Sequence, residues 1–136
     1  MLNQILVLSA SGLCYVHRSY NDYLNPLDPQ LISAMAAVES FGGAKLSDIT
    51  KILREESNNN ADLDIDIVKT HNYIACAISS RNPQRDKLQS LLPRVNQMVY
   101  ETMGNPTNKF TIEASKISQI EHKLDLMLIR SSQIKS

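Results

Sequence analysis

The residues with the most chemical promise form an alternating run, Asp62-Leu63-Asp64-Ile65-Asp66. Carboxylates at every second position share one side of a strand, and carboxylate oxygens are natural calcium ligands. A calcium loop starting at Asp62 needs glycine at its sixth position and a bidentate glutamate at its twelfth. Ile67 and Tyr73 stand there instead. The run therefore reads as the solvated face of a half-buried strand. Cys14 and His17 lie three apart, but no second short-spaced pair completes a four-ligand zinc site, and His71 and His122 are scattered. Cys14 and Cys76 stand in apolar runs, whereas a nucleophilic thiol needs a base and an electropositive, exposed setting. Ser40-Phe41-Gly42-Gly43-Ala44-Lys45 lacks the glycine spacing and the Lys-Ser/Thr ending of a phosphate loop. The expectation is no catalytic residue, no metal and no cofactor.

The elements that would position these side chains follow from length and patterning. The chain has 136 residues, and 14 basic residues balance 14 acidic ones. Such a length suits one domain, and charge balance argues against nucleic acid, whose recognition rests on several Lys/Arg–phosphate contacts. Apolar content of 43% argues against disorder, and no apolar run approaches a membrane span. Met1-Leu2-Asn3-Gln4 carries no positive charge and little apolar sequence follows it, so no signal peptide is expected. The one Asn-X-Thr triplet, Asn105-Pro106-Thr107, is excluded by its proline. Free buried thiols and a cytoplasmic location are expected.

Ile5-Leu6-Val7-Leu8 predicts a strand covered on both faces, turning at Ser9-Ala10-Ser11-Gly12. Leu13–Tyr20 then alternates in part, with Cys14, Val16 and Tyr20 on one face and Tyr15, His17 and Ser19 on the other. Asp28-Pro29 starts a helix, as cap and first-turn proline, and Gly42-Gly43 ends it. Leu46–Glu56 is ambiguous: Leu46, Ile49 and Leu53 suit a short helix, and Ile49, Lys51 and Leu53 suit a strand face. Asn58-Asn59-Asn60 is a turn, Leu63, Ile65 and Ile67 mark a strand, and Tyr73–Ile78 marks another, fully buried. Asn82-Pro83 opens a helix with the stripe Leu88, Leu91, Leu92, Val95, Met98, Val99 and Met103, which Pro93 should kink or divide. A last helix runs from about Thr111 to Arg130 with Ile117, Ile120, Leu124 and Leu128 on one face.

The order is strand, strand, helix, three strands, helix, helix. Together with the hairpin opening Ile5-Leu6-Val7-Leu8-Ser9-Ala10-Ser11-Gly12-Leu13-Cys14-Tyr15, it resembles the longin domain. That resemblance implies an α/β fold in three layers. A five-stranded antiparallel sheet has one helix on one face and two on the other, and residues 1–136 form a single domain. The sheet and first two helices fall in 1–104 and the last helix in 105–136. It also makes Leu46–Glu56 an edge strand. The related roadblock and profilin-like folds begin with a helix, and none is expected before Ile5.

Longin domains are generally non-enzymatic interaction modules. The resemblance implies a subunit or scaffold in small-GTPase regulation or vesicle trafficking, partnered by a small GTPase, another longin or roadblock subunit, or a second copy. A SNARE is not expected, because no heptad segment or anchor follows the last helix before Ser136. The implied interface lies between the helix at 28–41 and the strand at 46–56. Its candidates are Ser33, Ala36, Ala37 and Ser40 on the first, and Ile49, Lys51 and Leu53 on the second. An edge strand offers unpaired backbone groups to a partner's strand; an Ala-rich helix packed tightly on its own sheet accounts for the same residues. A small ligand-binding or enzymatic domain using the acidic strand around Asp64 and Asp66 is the alternative. Lys109, Lys116, Lys123, Arg130 and Lys135 admit peripheral membrane contact, but Glu113, Glu121 and Asp125 interleave with them, which favours a solvated helix face.

Overall fold

The computed structural model describes residues 2–9, 13–20, 63–106 and 114–135. The helix expected at 28–41 and the ambiguous segment 46–56 lie outside these residues. Four antiparallel strands and two helices are described. The Ile5–Leu8 run sits within β1 (Leu2–Ser9), and β2 (Cys14–Ser19) returns beside it. β3 (Leu63–Thr70) and β4 (Tyr73–Ser80) form a second hairpin. The order across the sheet is β2-β1-β4-β3, so β1 and β4 are its central pair. Their sequences are its most continuously apolar, as a position between two neighbours and two faces demands.

His71 and Asn72 join β3 to β4 with φ of 54° and 64°. Two successive left-handed residues match the right-handed twist of a tight hairpin, and His and Asn tolerate that region better than most side chains. The turn is also held from outside. The His71 ring lies 5.9 Å from that of Tyr100, and Asn72 donates to Asn105 at 3.1 Å.

α1 (Arg85–Met103) and α2 (Ala114–Arg130) pack side by side on one face of the sheet. Leu88, Leu91, Leu92, Val95, Met98 and Val99 from α1 meet Ile120, Leu124 and Leu128 from α2 over Ile5, Val7, Tyr73, Ala75 and Ala77. Alanines on β4 let α1 approach closely. α1 is continuous through Pro93 rather than divided there. The proline removes one donor from Gln89, but Gln89 is exposed, so its carbonyl can turn to water. Gly104, at φ 75°, closes α1 with its N–H on Tyr100 O at 2.7 Å. α2 ends in a Schellman turn: Gln133 N donates to Leu128 O and Ser132 N to Ile129 O, with Ser132 left-handed.

Two expectations about side-chain direction change. Between Val7 and Leu8 the register with β2 shifts, so that Val7 pairs with Val16 but Leu8 with Cys14. Tyr15 is the extra residue of this bulge, and it turns into the same core as Val16 rather than to the opposite face. There its ring meets Tyr73 edge-on at 5.6 Å. The second change concerns the acidic strand. Asp64 and Asp66 pair with Ser79 and Ala77, on the face that carries both helices. They point beneath α1, and Asp66 is only 8% exposed. The opposite face is buried as well: Leu6, Leu8, Ile74, Cys76 and Ile78 are at most 2% exposed.

Candidate interaction surface

Asp64 and Asp66 meet Arg85, the first residue of α1. Arg85 Nε and Nη2 donate to the two oxygens of Asp66 at 3.2 and 3.0 Å, and Nη1 donates to Asp64 at 3.1 Å. Gln89 adds a third bond to Asp66 at 2.9 Å. The bond to Asp66 is the main reason that the Arg85 guanidinium is held above its ordinary value. This is a fork-to-carboxylate contact, and it fixes the start of α1 over β3. The carboxylates are thus engaged within the fold.

A second network holds α2 to β2. Arg18 donates to Glu121 at 3.3 Å and to Asp125 at 2.8 Å, and the Tyr20 hydroxyl donates to Asp125 at 2.8 Å. Burial alone would lower Arg18, but its bonding with Tyr20 and Asp125 outweighs burial and raises it. Burial, then the Asp125 carboxylate, push the Tyr20 phenol up. Two of the acids expected to cancel the charge of α2, Glu121 and Asp125, are therefore committed to Arg18, and Glu113 lies outside the described residues.

Asn96 is fully buried within the apolar stripe of α1. Its amide reaches Val68 O at 3.2 Å, Thr70 Oγ1 at 3.0 Å and Tyr73 O at 3.3 Å, and so clamps α1 to the closing end of the β3–β4 hairpin. Its Oδ1 has no partner among the described residues. The position was readable, since Asn96 stands four residues after Leu92 on the buried face. Tyr73 adds a bond from its hydroxyl to Gly104 O at 2.7 Å, and burial pushes this phenol up to about 12.

The thiols behave as core groups. Cys76 is fully buried, which pushes it up to about 12, and Cys14 is half-buried and raised for the same reason. Their partners on β1 are Leu6 and Leu8, which leaves a strand between them. Two strand spacings are about 10 Å, beyond the roughly 7 Å that a disulfide tolerates. His17 accepts from Gln4 Nε2 at 2.7 Å, which requires a neutral ring with its proton on Nδ1, and burial lowers its affinity for a second proton. Among the described residues no three His, Cys, Asp or Glu converge as metal ligands, and no helix is long and apolar enough to cross a membrane.

Charge collects at one end of the helical layer. A concavity of about 500 Å³ between the first half of α1 and the end of α2 is lined by Lys87, Arg94 and Arg130, with Ser90, Ser131 and one acid, Asp86. Beside it lies another of about 510 Å³, bordered by Arg81, Lys135, Pro83, Ile129 and Ile134. Gln133 braces the junction, accepting from Asn82 at 2.8 Å and donating to Gln84 O at 2.9 Å. Asn82 Oδ1 also accepts from Gln84 N at 2.9 Å, so the asparagine expected as the cap closes a turn just before the helix.

Comparison with known proteins yields no match, either to a protein-family model or to a curated protein sequence. Ser33, Ala36, Ala37, Ser40, Ile49, Lys51 and Leu53, the residues expected at an interface, lie outside the described residues, as does Asp62. Of the basic residues read along the last helix, Lys109 also lies outside them. Lys123 bonds Thr102 at 3.3 Å, and Arg130 and Lys135 join the basic end. Sequence reasoning did not group these two with Lys87 and Arg94, because the grouping depends on the antiparallel packing of α1 and α2.

Proposed function

We infer that this chain is a longin-type, non-enzymatic interaction protein, a subunit or scaffold in small-GTPase regulation or vesicle trafficking. One observation carries the reading: two adjacent helices cover one face of an antiparallel sheet whose other face is buried too. The resemblance implies a single helix on that second face, at residues 28–41. Engagement of Asp66 by Arg85 and Gln89 supports the same reading, since it leaves the acidic strand little capacity for substrate. Partner binding, or pairing of two copies, is proposed to use Ser33, Ala36, Ala37, Ser40, Ile49, Lys51 and Leu53. A fold-level argument of this kind gives a class of function and not a named partner.

The test is Ala37→Arg. In size-exclusion chromatography with light scattering, and in pull-downs with any captured GTPase or longin subunit, the variant is expected to remain folded and to lose association. Association that persists unchanged removes the groove from the proposal.

A further inference from the structure

We propose that the basic end of the helical layer binds the phosphorylated headgroup of an anionic membrane lipid. Lys87, Arg94, Arg130 and Lys135 are all exposed, and among the described residues none of the four has a carboxylate within ion-pair distance. The nearby acids are accounted for: Glu121 and Asp125 hold Arg18, and Asp64 and Asp66 hold Arg85. Asp86 is the single carboxylate among the described residues that line the basic concavity. Among the described residues, this end of the helical layer thus presents a cationic patch with Asp86 as its one neighbouring carboxylate.

The shape selects among anions. A volume of about 500 Å³ lined by three cations and the hydroxyls of Ser90 and Ser131 suits a headgroup bearing more than one phosphate. The neighbouring concavity adds Ile129, Ile134 and Pro83 beside Lys135, which gives the glycerol and upper acyl region an apolar contact. Among the described residues no aromatic side chain lines either concavity, so these residues supply no base-stacking platform of a single-stranded nucleic-acid site. Clusters of four or more cations beside a membrane surface are the known electrostatic requirement for such lipids, and the attraction falls off with salt.

The experiment is vesicle flotation of the purified full chain. The probes are phosphatidylcholine vesicles, the same vesicles with a few mole per cent phosphatidylinositol bisphosphate, and soluble inositol trisphosphate. Binding is expected only to the phosphoinositide vesicles, and it should weaken at high salt. Arg94→Glu/Arg130→Glu is expected to lower the partition coefficient at least about a hundred-fold, given roughly five-fold per unit of charge. Arg94→Gln/Arg130→Gln should show a smaller loss, and Lys69→Glu, an exposed site on the opposite face of the sheet, should show little. Circular dichroism confirms that each variant is folded. The proposal is overturned by absent vesicle binding, by equal loss in Lys69→Glu, or by binding of the soluble trisphosphate without flotation. Because no protein partner is present, these outcomes leave the interaction-module reading standing or falling by its own test.

Discussion

Replacing Arg85 by methionine tests whether the acidic strand is a structural anchor. The variant keeps the aliphatic length and removes three charge-assisted bonds, two to Asp66 and one to Asp64. Asp66 would be left with Gln89 as its remaining partner. Stripping the partner from a fully buried charge costs about 3–5 kcal/mol, and an exposed pair is worth about 0–1 kcal/mol. Here the Asp66 side chain is 9% exposed and that of Arg85 36%, which places the contact between these limits. The expected loss is about 2 kcal/mol, or roughly 6 °C in melting temperature for a domain of this size. Urea titration followed by circular dichroism measures it. Asp66→Asn removes the stranded charge, so the pair Arg85→Met/Asp66→Asn should lose less than the sum of the single changes, by about 1 kcal/mol. A loss under about 0.5 kcal/mol for Arg85→Met, or strict additivity in the cycle, refutes the anchoring argument.

Two further outcomes follow from the buried groups. The His17 ring is lowered in the fold, so the unfolded chain binds its proton at a higher pH than the folded one. Stability is therefore complete above the ordinary histidine value and declines as pH falls through the lowered one. Urea midpoints across this range should fall with acidification and flatten in His17→Gln, and an unchanged slope contradicts the Gln4–His17 assignment. Cys76, at about 12, carries a thiolate fraction on the order of 10⁻⁴ at pH 8. In Cys14→Ser, Ellman's reagent should consequently label Cys76 only as fast as the protein unfolds; rapid labelling in the native state disproves its burial.

The parts of this fold that were legible in the sequence are those where one side-chain period dominates. The stripe Leu88, Leu91, Leu92, Val95, Met98 and Val99 is buried as its spacing predicts, and so are Ile120, Leu124 and Leu128. The runs Ile5–Leu8 and Tyr73–Ile78 are strands buried throughout. What failed depended on a partner distant in the chain. The alternation at Asp62–Asp66 correctly implies a strand, but periodicity cannot say which face a later helix will cover, and Arg85 arrives 19 residues after Asp66. Alternation was likewise misleading at Tyr15, because one extra residue in a bulge reverses the parity of everything before it. The basic end was illegible for a similar reason. Its cations come from two helices whose antiparallel contact no local pattern encodes, and from Lys135 just after the second.

The central place of β4 has a consequence for synthesis on the ribosome. The hairpin β1–β2 is made before β4, and its inner strand finds its other neighbour only with residues 73–79. The bond from Asn3 to Ser80 spans 77 positions of sequence. Two strands alone are marginal in water, and closing so long a loop is entropically slow. β1 therefore waits for its second neighbour, and Ile5 and Val7 for the helices that cover them, until residues 73–130 have been made. During that interval it is a natural client for a chaperone, and a pause in translation before residue 73 would prolong the exposure.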